Sequence, residues 1–174
     1  HAVVDDLLNA KNFYIALVSD DGKRLMFPYS VDAANPRQEP RPLGRGLSED
    51  VLRHAKALLA DKADIRKLVR NGEASSVQSG AKATCWLGVP LIVGDEAIGV
   101  VTVQSYSRDV VYDQADQELL SFVATQIASS LMRRRSAESL RRAYEELEQR
   151  VEERTLALRK EIIERERVQD QLKH

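Results

Sequence analysis

The chain has 174 residues, with 26 Lys and Arg against 27 Asp and Glu, giving a formal net charge of -1. That length suits one domain of ordinary size with a further segment appended, and the balanced charge argues against a basic face for nucleic acid. No run of about 18 apolar residues exists, so no membrane-spanning helix is expected. The opening HAVVDDLLNAKNF lacks the basic-then-apolar order of a signal peptide. A start at His1 is expected of a fragment cut from a longer chain. The single cysteine, Cys85, cannot form an internal disulfide and fits a reducing, cytoplasmic compartment.

In chain order, residues 2–10 space Val3, Val4, Leu7 and Leu8 as a helix does. NFYIALVS reads as a strand, DDGK as a turn, and RLMFPYSV as the hairpin partner, with Pro28 directing it to an edge or a bulge. DAANPRQEPRPLGRG, with its prolines and glycines, reads as an ordered loop or lid. Ser48 is placed to cap a helix over 49–59, and KADIRKLVRNG predicts a second short helix ending near Gly72. EASSVQSGAKAT is polar and reads as a loop. The strongest local signal is TCWLGVPLIVGDEAIGVVTVQSY, two β-branched runs flanking Gly94-Asp95, a hairpin turn. A two-residue loop would set Val93 opposite Glu96, Leu91 opposite Ile98, Pro90 opposite Gly99 and Cys85 opposite Gln104. Leu87, Val89, Leu91, Ile98, Val100 and Thr102 then share one face. Trp86, Gly88, Pro90, Ala97, Gly99 and Val101 share the other, where small residues would admit a closely packed helix. Neither face is regularly polar, so both should be covered. No Gly or Pro follows Gly99, and Asp113 can cap one long helix with Leu119, Val123, Ile127 and Leu131 as its buried stripe.

The order WLGVPLIVGDEAIGVVTVQSY, then YDQADQELLSFVATQIASSL, resembles a GAF domain, and NFYIALVSDD and PRPLGRGL resemble its bacterial branch in multidomain signalling proteins. The resemblance covers roughly 1–135. It implies an α+β fold: a central antiparallel sheet of about five or six strands. One face carries the terminal helices, and loops and short helices roof a small-molecule pocket on the other. The tail, 136–174, resembles the signalling helices that join sensors to output domains. Its ending ERVQDQLKH is most similar to the approach to a GGDEF diguanylate cyclase and less similar to that of a histidine kinase.

No catalytic set is apparent. Cys85 reads as a buried strand residue or as a covalent or redox site, but bilin-binding relatives place His beside the Cys, where this chain has Trp86. His54 has no histidine partner near it in sequence, so no metal cluster and no cofactor are predicted. The signature of the cyclic-nucleotide branch is missing. Candidate ligand contacts are Arg45, between two glycines in the lid-like loop, and the polar strand groups Tyr29, Cys85, Thr102, Gln104 and Tyr106. Trp86 is expected to pack on flanking helices. Three functions follow: a ligand-binding sensor, a dimerisation module with a filled pocket, or a GAF-fold methionine sulfoxide reductase, against which the lone cysteine argues.

Past Arg133-Arg134-Arg135 the helix has nothing of its own to cover it, yet Leu140, Tyr144, Leu147 and Val151 recur at coiled-coil spacing. Thr155, Leu158 and Ile162 continue the seam after a second step of four, a stutter that locally unwinds a supercoil. Glu138–Arg142, Glu146–Arg150 and Glu161–Arg165 are spaced to pair. A parallel homodimer is expected, with the alternative of a single solvated helix.

Overall fold

The computed structural model describes residues 11–34, 38–72 and 82–171. The expected helix over 2–10 and residues 73–81 of the polar stretch lie outside the described residues. Strands β1 (Asn12–Val18) and β2 (Arg24–Val31) form the expected hairpin. Ile15 faces Tyr29 while Leu17 faces Met26, so a bulge absorbs an extra residue within Phe27-Pro28. Strand β3 (Arg41–Pro42) covers only Arg24 and Leu25. Pro28, which has no N–H to give, therefore sits on an open edge and at a bulge.

Helix α1 (Leu47–His54) begins two residues earlier than read, with Gly46 at its N-cap. Ser48 is not the cap; its hydroxyl meets the Tyr14 hydroxyl at 2.9 Å. The capping acid is Glu49, which accepts from the amides of Gly46 and Gly44, both at 3.1 Å. The helix also ends sooner, at Ala55 in the left-handed region (φ 49). Leu58 and Leu59, read as the end of that helix, belong instead with Ala60 and Asp61 to strand β4 (Leu58–Asp61), drawn onto the free edge of β5 by ladder bonds. Asp61 then caps helix α2 (Lys62–Arg70), accepting from Ala63 N at 2.7 Å and Asp64 N at 2.8 Å.

Strands β5 (Cys85–Val93) and β6 (Glu96–Ser105) pair around Gly94, whose φ of 62 the turn requires. Val93 faces Glu96 as expected, but Ile98 is the extra residue of a bulge. Leu91 therefore faces Gly99 rather than Ile98, Pro90 faces Val100 rather than Gly99, and Cys85 faces Ser105 rather than Gln104. A one-residue slip changes the face of every residue beyond it relative to its partner. The six strands form one antiparallel sheet in the order β3-β2-β1-β6-β5-β4, which is the α+β layout expected.

One face carries Tyr14, Ala16, Leu25, Ala60, Trp86 and Val100, which pack with Leu47 and Val51 of α1 and Ile65 of α2 in one core. Each large aliphatic side chain fully buried there contributes about 1.5–3 kcal/mol. The other face buries Phe13, Leu87, Val89, Leu91, Val101 and Val103. The small-residue patch does not exist as read. The space over Gly88 belongs to the Trp86 ring, and that over Gly99 to the Ala16 carbonyl and the Leu17 and Leu91 side chains.

Helix α3 (Gln114–Gln171) is uninterrupted, and Asp113 caps it through Ala115 N at 2.8 Å and Asp116 N at 3.1 Å. Its buried stripe is Leu120, Ala124 and Ala128. Leu119, Val123, Ile127 and Leu131, expected to form it, are only half-buried. Alanines bring a helix backbone closer than larger residues could, so the stripe turns by one position. The chain divides into two compact units, His1–Ser130 and Leu131–His174.

Candidate functional site

The face beneath α1 holds the polar groups that apolar packing leaves unexplained. Asn12, Tyr14 and Ala16 of β1 stand opposite Gln104, Thr102 and Val100 of β6, and Trp86 and Gly88 of β5 complete those rows. Gln104 is buried and gives its Nε2 to a carboxylate oxygen of the buried Asp32 and to the Tyr106 hydroxyl at 2.9 Å. Tyr106 in turn donates to Asp32 at 3.0 Å. The Asp32 carboxylate also takes Ala34 N at 2.8 Å, and Asn12 ties Gln104 O (3.1 Å) to Ala33 N (2.8 Å). Burial first, and the Asp32 charge second, push the Tyr106 hydroxyl well above its ordinary pKa, so it stays a donor.

Because Nε2 serves Asp32, the Gln104 amide cannot be reversed without setting acceptor against acceptor. Its Oε1 is thus fixed, and it has no partner among the described residues. The Trp86 indole Nε1 and the Thr102 hydroxyl, on the same face and equally buried, also lack partners among the described residues, as does the Ser30 hydroxyl opposite Tyr14. An unsatisfied buried polar group costs about 1–3 kcal/mol. Several on one face are a standing demand for a donor beside Gln104 and an acceptor beside Trp86.

The roof over this face is latched by a part-buried ion pair. Arg41, from β3, meets both oxygens of Glu49, one at 3.1 Å, and lies over the Phe27 ring 5.8 Å from its centroid. Burial pushes the Glu49 carboxyl up, but the Arg41 bond and charge outweigh it and hold it below its usual range. Arg45 is the sequence candidate from this loop. Arg45 is exposed, and Arg41 is the arginine that turns inward.

The remaining sequence candidates divide between the two faces. Thr102 and Gln104 lie on the roofed face, with Tyr106 joined to them through Gln104. Tyr29 does not share that face: it faces Ile15 and meets Phe13 edge-on at 5.7 Å on the other side. Cys85 also lies on the other side, where its Sγ accepts from Tyr112 N at 3.4 Å, and burial pushes its thiol up. Trp86, expected on the helix-covered side, is on the roofed one. Asp32 was missed, since a lone acid 72 positions from Gln104 leaves no local signal. His54 is exposed on α1, and among the described residues no group of His, Cys, Asp or Glu is arranged to hold a metal.

In the tail, Leu140, Tyr144, Leu147, Val151, Leu158 and Ile162 are all exposed on the single chain. Thr155 bonds its hydroxyl back to Val151 O at 2.7 Å. Glu138–Arg142 and Glu161–Arg165 pair at 3.2 and 2.7 Å, whereas Glu146–Arg150 does not form. Among the described residues no helix is long and apolar enough to cross a membrane.

A model of the GAF domain family matches residues 1–132. No curated protein matches the chain. Among solved structures, the chain is similar to a methyl-accepting chemotaxis protein segment at 20% identity. The match has a TM-score of 0.63 and covers 75% of this chain and 82% of that one. The GAF-B domain of DevS from Mycobacterium smegmatis aligns at 17% identity, TM-score 0.61, over 80% and 92%. A free methionine-R-sulfoxide reductase from Neisseria meningitidis, solved with its substrate, aligns at 18% identity, TM-score 0.61, over 78% and 75%. At these identities the likeness speaks for the fold.

Proposed function

Because the chain belongs to the GAF domain family, we propose that residues 1–135 are a cytoplasmic sensor that binds a small polar molecule. Residues 136–174 relay its state through a parallel, two-fold coiled coil to an output domain. The observation that carries the ligand half is the set of buried atoms at Trp86, Thr102 and Gln104 that have no partner among the described residues. The ligand accepts from the indole, donates to Gln104 Oε1 and uses Thr102 either way. Tyr106 and Asp32 hold Gln104 in place. Of the other sequence candidates, Arg45 stands at the rim of the roof, while Tyr29 and Cys85 lie behind the sheet and take no part in contact.

Cys85 instead serves the relay. It neighbours Trp86 on β5 but points to the opposite face, against Tyr112, the residue before the Asp113 cap of α3. A shift of Trp86 thus reaches the start of the long helix through one strand residue. A ligand moves this equilibrium only by its difference in affinity for the two states. The exposed seam from Leu140 to Ile162 supports pairing of two tails, with the stutter after Val151 absorbing a change of twist. The tail's resemblance to GGDEF linkers makes a diguanylate cyclase the favoured output. The chain itself is non-catalytic: its one thiol is buried and shifted away from the reactive thiolate.

A second reading, a dimerisation module without ligand, is favoured by the complete burial of Tyr14 and Trp86, which fill the roofed face. Native mass spectrometry of protein purified from its own host separates the two. The sensor reading expects a retained small molecule that Thr102→Val loses. An unliganded mass for both proteins would contradict it, and thiol-dependent turnover of free methionine sulfoxide would contradict the non-catalytic assignment.

A further inference from the structure

Away from the roofed face, where β4 runs into α2 and β6 leaves the sheet, lies a second concavity of about 390 Å³. The start of α2 contributes Lys62 and Arg66, the segment after β6 contributes Arg108, Val110 and Val111, and Asp61 stands at the end of β4. Three cations thus face one carboxylate. That carboxylate is committed, since Asp61 Oδ1 accepts two amides of α2. None of Lys62, Arg66 and Arg108 makes a hydrogen bond or ion pair among the described residues. Composition does not explain this, because acids slightly outnumber bases in the chain. Elsewhere in the fold Arg41, Arg53, Arg141, Arg142 and Arg165 each meet a carboxylate. One further acid lies nearby: Asp109, which takes the Ser107 hydroxyl at 3.3 Å.

The cleft also has an apolar wall. Val111 is 71% exposed at its edge, the most exposed of the large apolar side chains among the described residues. Unpaired guanidinium groups beside an apolar wall fit a ligand with a doubly charged anionic head and a short apolar body. We propose that this cleft is a binding site for a small organic dianion, a phosphate ester or a dicarboxylate, separate from the roofed face and independent of the sensor reading. Its position gives occupancy a consequence. Val111 precedes Tyr112, and Asp61 faces Cys85 across the β4–β5 ladder, so the cleft borders both members of the Cys85–Tyr112 contact.

The test is a titration of the full chain with inorganic phosphate and, in a parallel arm, succinate. Amide chemical shifts are followed at low ionic strength against a matched sodium chloride control, because exposed charges are screened over about 8 Å at physiological salt. The proposal expects saturable shifts confined to the cleft, with millimolar dissociation constants. The paired substitution Arg66→Ala and Arg108→Ala should weaken them at least tenfold, Arg66→Lys and Arg108→Lys should retain binding, and Arg45→Ala should change nothing. Saturation with phosphate alone assigns the site to phosphate esters, and saturation with both assigns it to dianions generally. Shifts no larger than those from chloride, or undiminished in the alanine pair, overturn it.

Discussion

Replacing Gly99 by Ala tests the corrected register of the β5–β6 hairpin at its tightest point. A Cβ at Gly99 would lie 2.5 Å from the Ala16 carbonyl oxygen, 2.7 Å from Leu17 Cδ2 and 3.1 Å from Leu91 Cδ1. The two leucine methyls can turn aside. The carbonyl cannot, because it belongs to β1 in the centre of the sheet, and moving it loosens the β1–β6 ladder. Overpacking of this kind costs about 1–3 kcal/mol, and the backbone contact places Ala near the upper end, with Val higher still. At roughly 3 °C per kcal/mol for a domain of this size, the melting temperature should fall by about 6–9 °C. Trp86 is the only tryptophan and is fully buried, so its fluorescence reports unfolding of the domain without interference from the helical tail. A variant melting within a degree of the parent would refute both the bulge at Ile98 and the close approach at Gly99.

Four further outcomes follow from the same contacts. Thr102→Val removes a buried hydroxyl that has no partner among the described residues, so the ligand-free domain should gain about 1 kcal/mol in urea denaturation while losing ligand. Arg41→Ala strands the buried Glu49 carboxylate and should cost about 2–3 kcal/mol by the same assay. Glu49 has a lowered folded pKa, so its stabilisation is present above the ordinary glutamate range. It is lost as pH falls through the folded value, and the penalty of Arg41→Ala should shrink on acidification below about pH 4. Cys85→Ser, whose hydroxyl can still accept from Tyr112 N, should leave the fold intact, and the parent thiol should react with a disulfide reagent at neutral pH far more slowly than free cysteine; a fast reaction would contradict its burial.

Local chemistry made the hairpins, the Asp113 cap and the long helix readable, because turns, caps and helix continuity are decided by neighbours in sequence. What required the fold was long-range. Leu58–Asp61 is a strand only because the edge of β5 is there to receive it. The bulge at Ile98 inverted the inferred faces, and with them the positions of Trp86 and Gly88. The stripe on α3 was misplaced by one residue because Ala124 and Ala128 count for little in an apolar pattern, although their smallness permits the closest packing. At the site, Thr102 and Gln104 were legible as polar groups in an apolar strand. Asp32 was not, and neither was the exchange of Arg45 for Arg41, since both depend on which loop residues the roof turns inward.

The relay requires two tails to pair, and sedimentation equilibrium of the full chain beside a version ending at Met132, at matched concentrations, tests that most directly. The exposed seam from Leu140 to Ile162 predicts a concentration-stable dimer for the full chain and a folded, far more weakly associating domain for the truncation. A full-length monomer, or two dimers of equal tightness, would contradict it.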